Sequence, residues 1–172
     1  PETGLRLAEA RAETDGMTLQ LSTIQGDAAD MPLPSESFTA ISHSDVLCCL
    51  EDKLTVLQEC RRVINPDGRM CFTVIRLADG LKGTAMERAV QAGPEFIHSE
   101  THYPSMLKSA GWQIIQQDDI TGAFCASIER MIAAEEKQSE SLRALRGNEA
   151  NETAQANWRY KLQAVADRFI LR

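Results

Sequence analysis

The sequence predicts an α/β fold built on parallel strands. Two apolar segments, residues 38–43 and 69–75, have the composition of buried strands, and residues 52–64 between them carry apolar side chains at helical spacing. Residues 65–68 contain a proline and a glycine, which end that helix sharply. Strand, helix, turn and strand in this order form a βαβ unit, whose crossover is expected to be right-handed.

The composition excludes several classes of function. A chain of 172 residues is long enough for one domain with a substantial core. The net charge of −7, with no basic cluster beyond Arg61-Arg62, argues against nucleic acid as a partner. No apolar run approaches the roughly 20 residues that a membrane-spanning helix needs. We therefore expect a soluble protein that binds neither nucleic acid nor membranes.

The cysteines indicate reduced thiols rather than a metal site or a disulfide framework. None of the five belongs to a C-x-x-C pair, and none has a histidine at ligand spacing. An odd number of cysteines within apolar segments is typical of a cytosolic protein. The sequence thus predicts no metal site and a cytoplasmic location.

Upstream of the βαβ unit, the sequence predicts a helix, a strand and a turn. Apolar residues at helical spacing indicate a helix over residues 3–15, which Gly16 ends. Residues 18–24 alternate and lead to Gly26 and Asp27, so a further strand is expected there. Because ligands of open α/β sheets lie at the carboxyl ends of strands, an acid at this point is placed to contact a ligand.

Downstream of the unit the pattern is at first irregular. Glycines interrupt residues 77–101, so this stretch is expected to form a lid or a substrate loop. Residues 102–110 then carry apolar side chains at helical spacing, which predicts a helix. Residues 112–120 are expected to form a fourth strand.

The remainder of the chain is expected to be a helical extension. An apolar stripe followed by a charged run predicts a long helix from residue 122 to about residue 145, and a second helix is expected over 151–169. No repeat or low-complexity linker separates these helices from what precedes them. We therefore predict a partial α/β domain over residues 1–121, with the extension of residues 122–172 packed on the same domain.

Six short motifs occur in one order within residues 26–76. They are Gly26-Asp27-Ala28, Leu33-Pro34-x-x-Ser37-Phe38, Asp45-x-Leu47, Asp52-x-x-x-x-Leu57, Glu59-x-x-Arg62-Val63-Ile64 and Asn65-Pro66-Asp67-Gly68. In order and spacing they resemble the middle of the class I S-adenosylmethionine-dependent methyltransferases, of the type 11 or small-molecule kind. The resemblance implies a Rossmann-like methyltransferase sheet, S-adenosylmethionine as cofactor and a small-molecule methyl acceptor.

The resemblance also implies which residues contact the cofactor. Asp27 would accept a hydrogen bond from the adenine amino group, and the Ala28 amide would donate one to the ring. Gly26 would end the strand that carries them, and Ser42 and Ser44 would lie close to the cofactor on the next strand. From the residues alone, Asp27 has a second interpretation, because its carboxylate could simply complete the turn that contains it.

At the acceptor end, the block from residue 42 to Asp45 resembles that of N-methyltransferases acting on glycine-like amines. Asp45 would hold or deprotonate an amine there, or else it caps the helix that follows. His43 is either a base or a structural residue of the strand. Tyr103 is either a substrate-side residue or part of a helix core. Cys48 and its neighbour are expected to pack in the interior, since no base is at hand to activate a thiol.

The sequence departs from the family in one major respect. No glycine-rich loop of the D-x-G-x-G-x-G kind occurs in the 172 residues. The resemblance therefore implies an incomplete sheet, in which the first two strands and the last strand are missing and residues 18–24 have no native neighbour. An unpaired apolar edge is an aggregation hazard. We expect it to be covered either by a preceding part of the natural protein or by an exchanged homodimer.

Two functions remain open from the sequence. One is a truncated methyltransferase that transfers a methyl group to a small molecule by direct displacement, with weak or no cofactor binding by this chain alone. The other is a non-catalytic methyltransferase remnant that dimerises through the apolar faces of the 122–145 and 151–169 helices. A nucleotide-binding reductase is disfavoured, because its fingerprint would also need the absent glycines.

Overall fold

The computed structural model describes residues 2–172, and its centre is the predicted βαβ unit. Strand β1 (Phe38–Ser44) and strand β2 (Ile64–Thr73) pair in parallel and are connected by helix α2 (Lys53–Val63). At the carboxyl ends of the two strands, Ser44 lies opposite Thr73. The sequence-based prediction of an α/β fold with an incomplete parallel sheet is confirmed.

Helix α2 forms where its sequence predicts it because both ends are locally specified. At its start the Asp52 carboxylate accepts a hydrogen bond from the Thr55 amide at 3.0 Å, which satisfies one of the free amides of the first turn. Val56, Leu57 and Cys60 form its buried face. The predicted turn at residues 65–68 lies within β2, where the pairing with β1 shifts register.

The other elements surround this unit. In chain order they are α1 (Glu2–Thr14), β3 (Arg76–Leu77), α3 (Gly83–Ala92), α4 (Tyr103–Ser109), α5 (Thr121–Lys137), α6 (Ser139–Arg146), α7 (Asn148–Ala166) and β4 (Ile170–Leu171). The two short strands β3 and β4 pair antiparallel. Between β1 and α2 lies a single 3-10 turn, Leu47–Cys49.

Two predicted strands are not present. Residues 18–24 and 112–120 contain no strand, and their apolar side chains are partly in solvent, with Leu19 98% and Ile115 77% exposed. A strand exists only where a neighbouring strand supplies ladder hydrogen bonds. No such neighbour lies beside either segment within residues 2–172.

Strand β1 is also less covered than its composition predicts. An apolar strand was expected to be buried on both faces, yet most of its residues are exposed. In the described part of the chain only β2 lies beside it, so its other edge and one face remain open. The strand is correctly predicted, whereas its environment is not.

The helical part differs from the prediction in two places. The stretch predicted to be irregular contains helix α3, because Gly83 and Gly93 lie at the helix boundaries rather than within it. The predicted long helix over 122–145 is divided in two: α5 ends at Lys137 and α6 begins at Ser139, with Gln138 between them. Gly147, with φ of +84°, separates α6 from α7, and this left-handed conformation favours glycine.

The buried side chains form two clusters. The first contains Ile75, Ile97, Ile128, Val165 and Ile170, so it is built from the end of the sheet and from the helices after it. The second lies between the β1–β2 sheet and helices α2 and α4. Among residues 2–172, no helix combines the length and the apolar character needed to cross a membrane.

Candidate functional site

Three of the predicted cofactor residues, Gly26, Asp27 and Ala28, lie in a tight turn after the irregular segment that follows α1. The Asp27 carboxylate is exposed, and its Oδ1 accepts a hydrogen bond from the Ala29 amide at 2.9 Å. Asp27 therefore does complete its own turn, and its Oδ2 has no partner among the described residues. A Cβ atom on Gly26 would come within 2.7 Å of Pro32 Cδ, so the turn requires glycine at that position.

Asp45 lies at the carboxyl end of β1 in an unusual backbone conformation. Its φ is +54°, which only a small fraction of residues other than glycine adopt. The Arg172 Nε donates a hydrogen bond to its Oδ1 at 3.0 Å, and Nη2 forms an ion pair with Oδ2 at 2.9 Å. The Thr73 hydroxyl donates a second hydrogen bond to Oδ1 at 3.2 Å. The pair is largely sheltered, with 20% of the Arg172 side chain and 25% of the Asp45 side chain exposed.

Arg172 reaches this position because it is anchored on several sides. Its backbone N–H donates to the Thr121 hydroxyl at 2.9 Å, and its backbone carbonyl accepts from the Ile120 amide at 2.8 Å. The guanidinium lies over the ring of Phe124, and Nη2 also donates to Ser44 Oγ at 2.9 Å. The start of α5 and the end of the chain are thus joined to the carboxyl end of β1.

The structure excludes one of the two interpretations of Asp45, that of a helix cap. The Asp45 carboxylate does not cap the next helix, since Asp52 caps α2 and no side chain caps the 3-10 turn. The Asp45 backbone carbonyl instead accepts from the thiols of Cys48 and Cys49. Burial raises the pKa of the Cys48 thiol to about 11, so this thiol stays protonated at neutral pH.

His43 lies on the other face of β1. Side chains of a strand alternate between faces, so His43 points away from the side that carries Ser42 and Ser44. Its ring stacks on Phe72 with centroids 4.8 Å apart, and neither ring nitrogen has a hydrogen-bond partner in the described chain. Burial lowers the pKa of His43, partly offset by Asp45. The geometry is that of a neutral packed ring.

This environment predicts a pH dependence of stability. Because the folded state resists protonation of His43 and the unfolded state does not, the unfolded state binds more protons as the pH falls below about 6.5. We expect the free energy of unfolding to fall between pH 7.5 and pH 5.5, and to fall less in His43→Phe. Urea unfolding at both values measures this. If the free energy of unfolding fell by the same amount in His43→Phe as in the unmodified protein, the burial of a neutral ring would be contradicted.

Tyr103 is the first residue of α4 and belongs to the second buried cluster. Its hydroxyl is buried and has no hydrogen-bond partner within residues 2–172, and burial raises the pKa of this phenol. A buried hydroxyl without a partner costs about 1–3 kcal/mol, which a bound polar group would offset. Packing and a substrate-side position are therefore both compatible with its surroundings.

The structure thus brings together only part of the predicted site. Ser44 and Asp45 meet at the carboxyl end of the sheet, where Thr73 and Arg172 join them. An open groove of about 1430 Å³ extends along β2 and is lined by residues that include Thr73, Tyr103 and Arg172. Thr73 could have been expected from the pairing of parallel strand ends, whereas no local signal indicates Arg172. No group of three or more metal-ligand side chains is arranged to hold a metal ion in the described region.

The chain is similar in sequence to known methyltransferases. Residues 2–72 match the family described as "Methyltransferase domain". A phosphoethanolamine N-methyltransferase of Triticum aestivum is 22% identical over 137 residues, which are 80% of this chain and 27% of that enzyme. The family match covers the turn at Asp27 and the βαβ unit as far as residue 72.

Two solved structures show the fold. One, from Galdieria sulphuraria and described as a sarcosine dimethylglycine methyltransferase, superposes with a TM-score of 0.84 at 19% identity, covering 95% of this chain and 60% of that one. The other, phosphoethanolamine N-methyltransferase 2 of Haemonchus contortus in complex with S-adenosyl-L-methionine, has a TM-score of 0.72 at 18% identity, with 84% and 34% covered.

Residues 2–72 thus match the methyltransferase domain family, and the chain has the fold of these two methyltransferase structures. It spans about a quarter of the wheat enzyme and between a third and two thirds of the two structures.

Proposed function

We propose that this domain binds S-adenosylmethionine at the carboxyl ends of its strands and that the protein transfers the methyl group to a small molecule. The cofactor would supply a methyl group on a positively charged sulfur, and the acceptor atom would displace that sulfur directly. The observation that supports the proposal most is the exposed Asp27 carboxylate with one oxygen free, at the family's Gly-Asp-Ala position.

The residues present fit the adenine end of such a cofactor. Gly26 allows the backbone to turn closely at this point, and the neighbouring Ala28 amide is available to a ring nitrogen. A carboxylate is a suitable partner for the adenine amino group, since a buried amino group left unpaired costs about 1–3 kcal/mol. The methionine end would need a glycine-rich loop, which these 172 residues do not contain.

At the acceptor end we propose an orienting role for Asp45. Both of its oxygens already contact the Arg172 guanidinium, Oδ1 through a hydrogen bond and Oδ2 through the ion pair, so the carboxylate is placed to fix geometry and charge rather than to take up a proton. We propose Ser42 and Ser44 as the polar rim of the cofactor site and the Tyr103 hydroxyl as a contact of the acceptor. For His43 we propose the structural role described above.

Cofactor titration tests the proposal. We expect heat on titration of S-adenosylhomocysteine into the protein by calorimetry, and an affinity roughly tenfold lower in Asp27→Ala, because the variant loses the acceptor for the adenine amino group. Absence of heat from the unmodified protein would overturn the proposed function.

Asp30→Ala is the matched control for this experiment. Asp30 lies in the same turn and carries the same charge, and its backbone amide already bonds to the Asp27 carbonyl. The control should bind the cofactor as the unmodified protein does. Equal losses in the two variants would indicate a general effect of charge and would contradict the specific role of Asp27.

The alternative function, a dimerising remnant, has less surface available than the sequence suggests. Phe124, Ile128, Ile132, Trp158 and Leu162 all pack on the first buried cluster, so the apolar faces of α5 and α7 are largely occupied within the chain. A homodimer and a cytoplasmic location remain parts of the proposal. The free state of all five cysteines is compatible with that location.

A further inference from the structure

Arg62 connects helix α2 to the loop that follows Asp27. Its Nη1 donates to the Leu33 carbonyl at 2.8 Å and to Ser35 Oγ at 3.3 Å, and its Nη2 donates to the Met31 carbonyl at 3.1 Å. One guanidinium thus satisfies three acceptors of a loop that lies about 30 positions upstream in sequence. A planar group with several fixed donors is suited to this, and a lysine is not.

The guanidinium is itself held in place. Its Nε donates to both oxygens of Glu59, one turn earlier on α2, at 2.5 and 3.0 Å, and the Glu59 side chain is only 12% exposed. A backbone hydrogen bond also joins the helix to the end of the loop: the Glu36 amide donates to the Arg62 carbonyl at 2.9 Å. The donors that face the loop are therefore fixed before any ligand arrives.

The loop has few other constraints. Residues 27–35 belong to no helix or strand. Besides the local contacts of Asp27 and Pro32, the loop is held by the packing of Ala28, Ala29 and Met31 on the second buried cluster, which fixes side chains but supplies no partners for backbone carbonyls. Backbone carbonyls that are shielded from water need partners within the protein, and the bonds of Arg62 to the Leu33 and Met31 carbonyls are part-buried. The contacts of Arg62 supply those partners on the side of the loop that faces α2.

We propose that Arg62 is a positioning residue for cofactor binding: it fixes the loop of residues 27–35 in the shape that presents Asp27 and Ala28 to the adenine ring. The proposal rests on the proposed function of the same turn. Arg62 does not contact the adenine site itself, so it acts through the loop.

Hydrogen exchange without any ligand tests the positioning directly. In Arg62→Met, the amides of residues 27–37 should exchange at least roughly tenfold faster, because hydrogen bonds to a charged group are lost. In Arg62→Lys the exchange rates should lie between those of the unmodified protein and those of Arg62→Met, since one ammonium group cannot reach all three acceptors. Unchanged exchange in Arg62→Met, or the same acceleration along the whole chain, would overturn the proposal.

Arg61→Met is the matched control. Arg61 is the neighbouring arginine in the last turn of α2, so the variant removes the same charge from the same helix end. Its guanidinium faces Trp112 instead of the loop. Exchange of residues 27–37 should be unchanged in this variant. An acceleration equal to that of Arg62→Met would show that helix charge, not the contacts of Arg62, controls the loop.

Calorimetry with S-adenosylhomocysteine completes the test. Affinity should fall about tenfold or more in Arg62→Met and should be retained in Arg61→Met. Faster exchange with unchanged affinity would overturn the link between the loop and the cofactor. Absence of binding by the unmodified protein is a separate result, because it overturns the proposed function whatever the exchange data show.

Discussion

Replacing Ile128 by alanine should destabilise the whole chain by about 3 kcal/mol, within the range of about 2–5 kcal/mol found for such truncations in cores. Ile128 is 2% exposed and lies in the first buried cluster, between residues of the sheet end and residues of α7. The substitution removes apolar contacts on both sides and leaves a cavity. Urea unfolding followed by circular dichroism gives the free energy.

The same experiment tests the predicted domain organisation. If the extension of residues 122–172 packs on the same domain as residues 1–121, the variant should unfold in one transition at a lower urea concentration. Met131→Ala is the control, since Met131 lies on the same helix and is 40% exposed, and about 1 kcal/mol or less is expected. Two separate transitions, with only the helical signal shifted, would contradict a shared core.

The middle of the chain could be predicted from sequence because its chemistry is local. The Asp52 cap, the buried face of α2 and the glycine at residue 26 each involve neighbours within a few positions. The turn at Asp27 was predicted for the same reason. Such features can be identified from a short stretch of sequence without knowledge of the fold.

Features that depend on distant residues could not be predicted in this way. Residues 18–24 have the pattern of a strand, but pairing is a property of two segments, and no partner lies beside them in the described chain. Helix α3 was missed because glycines at its ends were interpreted as breaks within it. Arg172 joins Asp45 from 127 positions away, and only the fold brings the two together.

Replacing Arg172 by methionine should cost about 2 kcal/mol of stability, since hydrogen bonds to charged groups contribute roughly 1.5–3 kcal/mol each and this pair is three-quarters sheltered. The loss has a second cause beyond the missing bonds. The variant leaves the Asp45 carboxylate partly buried without a counter-charge. Urea unfolding measures the free energy.

A double-mutant cycle separates this pair from general effects of the substitution. Asp45→Asn keeps the shape of the side chain and removes the charge, so Arg172→Met should cost far less in that background than in the unmodified protein. Arg168→Met is the control, because Arg168 pairs with Asp119 at the exposed surface and exposed ion pairs contribute little. This variant should lose little stability. Equal costs of Arg172→Met in both backgrounds would show that the Arg172 side chain stabilises the chain through Phe124, Ser44 and Thr73 and not through the charge of Asp45. A lower cost of Arg172→Met in the Asp45→Asn background would show that the two residues are coupled. That result would support the proposal that Arg172 orients Asp45 at the acceptor end.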